Sequence, residues 1–218
     1  MSQPGSTALV QLGQLFGVPP NHRFINSLDS QSTSTCGRYK ILRKLRRGRN
    51  SHVYGCYDRL QYQTRVMKII TRRDEQTEAE HEYVVRREFD MQLRLSIHRN
   101  ICTAHGLLQV LPDSYILMDL CDKDLEDLIQ ASRLENKPYN IKTLFLDVVD
   151  GVIHCHRNNV AHRHLSSHNI GLVYNEDGKS SAVLLDFGYA VTPLSTMNAV
   201  FRGRRQHDAP GTRFLSTE

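Results

Sequence analysis

The chain has 218 residues, 39% of them apolar and 23% charged, with glycine and proline at only 20 positions. That composition excludes collagenous, wholly disordered and disulfide-scaffold classes. The 28 Lys and Arg against 23 Asp and Glu leave a net charge of +5, which permits phosphate-bearing partners without by itself marking a nucleic-acid binder. Five widely spaced cysteines (Cys36, Cys56, Cys102, Cys121, Cys155) lack any C-x-x-C pair, so a reduced, intracellular chain, cytoplasmic or nuclear, is expected. No apolar run approaches the ~18 residues that span a bilayer, and neither a membrane partner nor a leader is expected.

Residues 1–36 are rich in Ser, Thr, Gln, Asn, Gly and Pro and read as a tail or linker. From Tyr39 the texture changes. YKILRKL, VYGCYD and RVMKII are β-rich runs separated by RRGRNSH and RLQYQT, the pattern of an antiparallel meander. A helix is predicted between about Asp74 and Ser96, with Val85, Phe89 and Leu93 on one face and Glu88 beside it. GLLQV and YILMDL follow as two further strands about Pro112-Asp113.

After Leu120 the character is helical. DLEDLIQAS forms a short amphipathic segment, and Ile141, Leu144, Phe145, Val148, Val149, Val152 and Ile153 form a helical stripe ending at Asn158-Asn159. A histidine-rich loop comes next, then strands NIGLVY and AVLLDF about the turn NEDGK.

Several motifs lie on these elements in one order: RRGRNSHV between the first two strands, RVMKII, HRHLSSHNI, Asp186-Phe187-Gly188 and FRGRRQHDAPG. With them the chain resembles a protein kinase of the Ser/Thr type, from about Tyr39 to Gly211. The resemblance implies an α+β kinase-like fold in residues 37–218: a five-stranded antiparallel small lobe with one helix to about residue 120, then an incomplete, mainly helical large lobe. On this pattern the chain ends just after the activation segment, and the large lobe is expected to expose apolar surface.

The resemblance also implies ATP and magnesium as cofactors. Leu45, Gly48 and Val53 match the phosphate-loop region, where Arg46 and Ser51 replace two glycines. Lys68 matches the V-A-I-K lysine that meets the nucleotide phosphates, and Glu88, rather than Glu82, is its expected helix partner. Met118, Asp119 and Cys121 fall on the hinge that faces adenine. Asn169 and Asp186 match the magnesium-holding residues.

The catalytic loop keeps His162, Arg163, Leu165 and Asn169, but His164 replaces the aspartate and Ser166 the lysine of the family's pattern. Losing general-base help is worth about 10² to 10⁴ in rate. The expectation is therefore a nucleotide-binding pseudokinase or regulatory module with a protein substrate or protein partner. A weakly active Ser/Thr kinase and a nonfunctional truncated copy remain as alternatives. Gly211 stands for the glutamate of A-P-E, and Thr192, Ser195 and Thr196 are possible phosphosites.

Two rival chemistries are weighed against this. His154, His156, His162, His164 and His168, with Cys155, are dense in metal donors but lack a paired ligand spacing. The stretch Arg38–Arg49 holds seven basic residues and no acid, yet no aromatic ladder for base stacking. Neither a histidine metal site nor a nucleic-acid partner is expected.

Overall fold

The computed structural model describes residues 35–36, 38–48, 50–110, 112–135, 141–176 and 179–192. Two compact units emerge: residues up to Arg86 with His105–Leu120, and Arg87–Ala104 with the residues from Cys121 onward. The proposed phosphosites Ser195 and Thr196 and the A-P-E-like stretch lie outside the described residues.

The first unit is built on a sheet ordered β1-β2-β3-β4-β6-β5, comprising β1 (Thr35–Cys36), β2 (Tyr39–Arg47), β3 (Ser51–Asp58), β4 (Gln63–Thr71), β5 (Ala104–Val110) and β6 (Asp113–Asp119). These are the five expected strands plus the short β1. Cys36 pairs with Tyr39, so the sheet begins inside the stretch read as a tail. Alternation sends Tyr39, Ile41, Tyr54, Met67, Ile69 and Leu117 into one core. Lys44 keeps its ammonium 5.6 Å over the Tyr54 ring, so the basic strand is anchored on its inner side.

β3 ends on Asp58, whose fully buried carboxylate takes two N–H groups of Arg38 at 2.9 and 2.6 Å. It also accepts the backbone N–H of Leu60 at 2.9 Å and of Gln61 at 3.2 Å. Burial pushes this carboxyl up, but the four donors outweigh it and hold the group below its ordinary value. One side chain thus closes the β3–β4 turn and fixes the start of β2.

Helix α1 (Glu78–Leu95) starts where Thr77 and Glu80 form a capping box. Glu80 N–H donates to Thr77 Oγ1 at 3.2 Å, and Thr77 N–H donates to Glu80 Oε2 at 2.8 Å. The sequence contains this T-x-x-E signature, which places the start four residues after Asp74. Val85 and Phe89 are buried as expected, but Leu93 is 46% exposed and Gln92 and Leu95 are buried instead. A four-residue step turns the helix by about 400°, so a strict i, i+4 row drifts ~40° per step and leaves the core by its third member.

In the second unit, β7 (Lys123–Asp124), β8 (Ile170–Tyr174) and β9 (Ser180–Leu184) form a small antiparallel sheet. α2 (Leu125–Glu135) begins at Asp124, which accepts the Asp127 N–H at 2.7 Å. α3 (Ile141–Arg157) ends in a paired C-terminal motif: Val160 N–H donates to Cys155 O and Asn159 N–H to His156 O, both at 2.9 Å. Asn159 takes the left-handed position with φ 56°.

The predicted stripe on α3 is wider than the face that is covered. Leu144 is buried and Val148 and Val152 pack on the core, whereas Ile141 and Phe145 are 69% and 64% exposed. Small and polar residues fill the close approaches instead. A Cβ on Gly151 would lie 2.9 Å from Asn100 O and 3.2 Å from Leu184, and Asp147 accepts the Ala182 N–H at 3.0 Å and pairs with Arg99 at 3.2 Å.

Candidate functional site

On the first unit, strand register assembles one sheet face. Directly opposed residues of an antiparallel pair share a face, so the rows Val53–Lys68–Ile116 and Gly55–Val66–Met118 lie side by side. Leu45 adjoins them, 3.9 Å from where a Gly55 Cβ would sit. Lys68 is only 8% exposed, so its ammonium is largely withdrawn from water. Of the residues singled out in the sequence, this face brings together Leu45, Val53, Lys68 and Met118. Val66 and Ile116 were missed, though Val66 lies two residues before Lys68 and strand period alone identifies it.

Gly48 sits at the β2–β3 tip, where its N–H donates to Ser51 O at 2.7 Å. Asp119 closes β6 with its carboxylate on Arg65 and on His105 Nε2, the latter at 2.7 Å. Cys121 belongs to the second unit, with its thiol over Gly171, where a Cβ would lie 2.5 Å from Sγ.

The second unit carries the loop Ala161–Asn169 and the segment Asp186–Gly188. His162 is buried and fixes both. Its Nδ1 accepts the His164 N–H at 3.2 Å, its Nε2 donates to Leu185 O at 2.9 Å, and its ring packs edge-on to Phe187 at 4.7 Å. Those two bonds define the Nε2–H tautomer. Burial, with a smaller push from His164, holds the imidazole below its ordinary pKa, although the Leu185 carbonyl and Asp186 pull the other way. Ala161 and Val191 exchange backbone bonds at 2.9 and 3.0 Å, clamping the far side of the loop.

Asn169 donates its amide N–H to His164 O at 2.9 Å and is buried, which turns Oδ1 away from that carbonyl. Asp186 has φ 61° and Arg163 φ 60°, left-handed backbone that costs about 1 kcal/mol or more for each non-glycine residue. Asp186 Oδ1 accepts the Gly188 N–H at 3.2 Å. Glu88 is 5% exposed and reaches the same place: a Cβ on Gly188 would lie 3.0 Å from Glu88 Oε2 and 3.2 Å from Asp186 Oδ1. Glu82, the alternative, is exposed and offers its backbone carbonyl to Gln109.

Hard oxygen donors from Asn169 and Asp186 suit magnesium, which takes one or two carboxylates and leaves positions for phosphate and water. The residues present fit the expected ion. At the catalytic position His164 is buried, its ring 4.6 Å from that of Tyr189. Ser166 is half-buried; its carbonyl accepts the Asn169 N–H at 2.9 Å. The loop backbone is intact while the two reactive side chains are exchanged.

Among the described residues no three His, Cys, Asp or Glu side chains group as a metal site, and His154 stacks on His98 at 4.5 Å. Among them, too, no helix is long and apolar enough to cross a membrane. Cys56, Cys102, Cys121 and Cys155 are thiols, and burial pushes those of Cys56 and Cys155 up to about 12 and about 11.

An antiparallel sheet with one long helix, followed by helices, a histidine-anchored loop and a D-F-G segment, defines a protein-kinase-like chain. The chain belongs to the protein kinase domain family, whose pattern matches residues 39–212. Among its relatives, it is 33% identical over 125 residues to the serine/threonine-protein kinase SKS1 of Saccharomyces cerevisiae, covering 57% of this chain and 24% of that protein. It is 33% identical over 108 residues to the negative regulator of sexual conjugation and meiosis of Schizosaccharomyces pombe, covering 49% and 22%. A third relative, the serine/threonine protein kinase OSK3 of Oryza sativa subsp. indica, is 33% identical over 124 residues, covering 56% and 23%. The chain thus spans about a quarter of the length of these relatives.

Proposed function

We propose that this chain binds a magnesium nucleotide and acts as a regulatory or scaffolding kinase-like module on a protein partner, with phosphoryl transfer impaired. The observation that carries the reading is an asymmetry. Lys68, Glu88, Asn169 and Asp186 keep the residue types suited to phosphate and metal, and Glu88 and Asp186 converge on Gly188. In the catalytic loop it is the substrate side, His164 and Ser166, that is replaced, while the phosphate loop has exchanged two glycines for Arg46 and Ser51. Leu45, Val53 and Met118 would bound the base, the backbone of Asp119 and Cys121 would offer it hydrogen bonds, and Gly48 would turn the loop.

Bound magnesium would neutralise charge on the phosphates; Asn169 Oδ1 and the Asp186 carboxylate are the atoms to hold it. Lys68 supplies a fixed positive charge on its sheet face, and His162 keeps the loop and Leu185 in register. An imidazole at His164 lacks the negative charge with which a carboxylate orients and deprotonates a hydroxyl, and Ser166 places no cation near the transferring group. The deciding experiment is a thermal-shift titration with ATP and magnesium. A magnesium-dependent rise in melting temperature that disappears in Lys68→Met is the expected result. No shift for the unaltered chain, or an equal one in Lys68→Met, overturns the reading.

A further inference from the structure

In a regular strand Leu45 and Arg46 would point to opposite faces. In β2 they do not. The register slips between Lys44 and Arg46, and Arg46 comes to lie directly opposite Val53. Val53 is in turn opposite Lys68, so Arg46, Val53 and Lys68 form one row across three strands. Leu45 is on this face as well, by its approach to the Gly55 position. The bulge therefore turns two successive residues to the same side, and one of them is a cation.

The neighbouring row repeats the pattern, with Arg43 opposite Gly55 and Gly55 opposite Val66. These two rows carry three cations and no carboxylate. Two strand spacings separate the Arg46 and Lys68 backbones, ~10 Å, a gap that two long basic side chains close around one anion. The N–H of Gly48, the one glycine left in the loop, is already committed to Ser51 O at 2.7 Å.

We infer that Arg46 is a phosphate-contacting residue, its guanidinium doing by charge what loop N–H groups do in a glycine-rich turn, so that this face selects a polyphosphate chain more than a nucleoside. The inference rests on the nucleotide reading above. An arginine–phosphate contact is charge-assisted and bidentate-capable, and its loss is read as a drop in affinity of about ten- to a hundredfold.

The test uses the full chain, a fluorescent adenine nucleotide as reporter, and ATP, adenosine and inorganic tripolyphosphate as competitors, at low and high salt. Arg46→Gly restores the glycine of the usual loop, and Arg46→Gln keeps side-chain length without charge; melting curves report folding. Both variants are expected to bind ATP at least tenfold more weakly, to lose competition by tripolyphosphate, and to change by less than twofold for adenosine. The gap from the unaltered chain should narrow at high salt. ATP affinity that is unchanged or increased in Arg46→Gly, while Lys68→Met abolishes it, overturns the role of Arg46 and leaves the nucleotide reading standing. Silence of the unaltered chain towards ATP overturns both.

Discussion

The Glu88 carboxylate stands beside the place a side chain on Gly188 would take, 3.0 Å from that Cβ position, with Asp186 Oδ1 3.2 Å from it. Here the glycine of D-F-G leaves room for two acidic groups from distant parts of the sequence. Gly188→Ala must push Glu88 or Asp186 aside. Overpacking of this kind typically costs about 1 to 3 kcal/mol. The expected outcome is a lower melting temperature and a weaker magnesium-ATP shift. An unchanged nucleotide response in a folded variant would show that neither carboxylate needs its present position.

The loop that carries His164 and Ser166 retains its backbone bonds, including Asn169 to His164 O at 2.9 Å. Restoring the usual chemistry should therefore require only side chains. The double substitution His164→Asp with Ser166→Lys is predicted to raise phosphate incorporation into a generic protein substrate by about 10² to 10⁴. Adding Asp186→Asn should remove the gain. If the double variant folds and incorporates nothing, the limit lies elsewhere than in these two positions.

His162, His81 and His98 all sit below the ordinary histidine value because of burial, reinforced at His81 by Arg72 and at His98 by His154. A histidine with a depressed folded value stays neutral while the unfolded chain takes up a proton. Its contribution is complete above about pH 6.5 and is lost as pH falls from there through the folded value. Asp113, raised by burial, acts in the opposite sense from about pH 4 upward. Melting temperature should fall between pH 7 and pH 5. His162→Asn should be less stable at pH 7.5 yet show a shallower decline; parallel curves for the two chains would remove His162 from the account.

Arg38→Ala leaves the Asp58 carboxylate buried with only its backbone donors. Breaking a buried pair in this way is strongly destabilising, about 3 kcal/mol or more, reduced here because Arg38 itself is partly exposed, 17% at its side chain. Chemical denaturation should report a loss of roughly 2 kcal/mol. Arg38→Ala with Asp58→Asn should recover part of it, since the second change removes the stranded charge. No recovery would mean that the guanidinium matters chiefly through packing over the Tyr39 ring, 5.1 Å away.

The strands, the helices and their order were legible because their signals are local: alternation around Tyr54 and Met67, and caps at Thr77, Asp124 and Asn159. Spacing singles out Glu88 over Glu82, and of the two it is Glu88 that is buried. What stayed hidden depends on three dimensions at once. The stripe on α3 names Phe145 and Ile141 as readily as Leu144, since periodicity defines a face and not how much of it is covered. A bulge is invisible without a partner strand, so the face chosen by Arg46 had no counterpart in the sequence pattern. Tyr189 meets His164 through a fold-back that no spacing rule encodes.

Gly151 lies inside α3, where glycine ordinarily weakens a helix by ~1 kcal/mol relative to alanine. Here the sign is reversed, because a methyl group would meet Asn100 O at 2.9 Å and Leu184 at 3.2 Å. A substitution screen scored only by nucleotide binding would rank Gly151 beside Lys68 and Asp186. Scored by protein abundance, Gly151 would separate from them: its variants vanish from the cell, while Lys68 and Asp186 variants persist as silent, folded chains. Two readouts on one library thus divide the residues that hold the core from those proposed to meet the nucleotide.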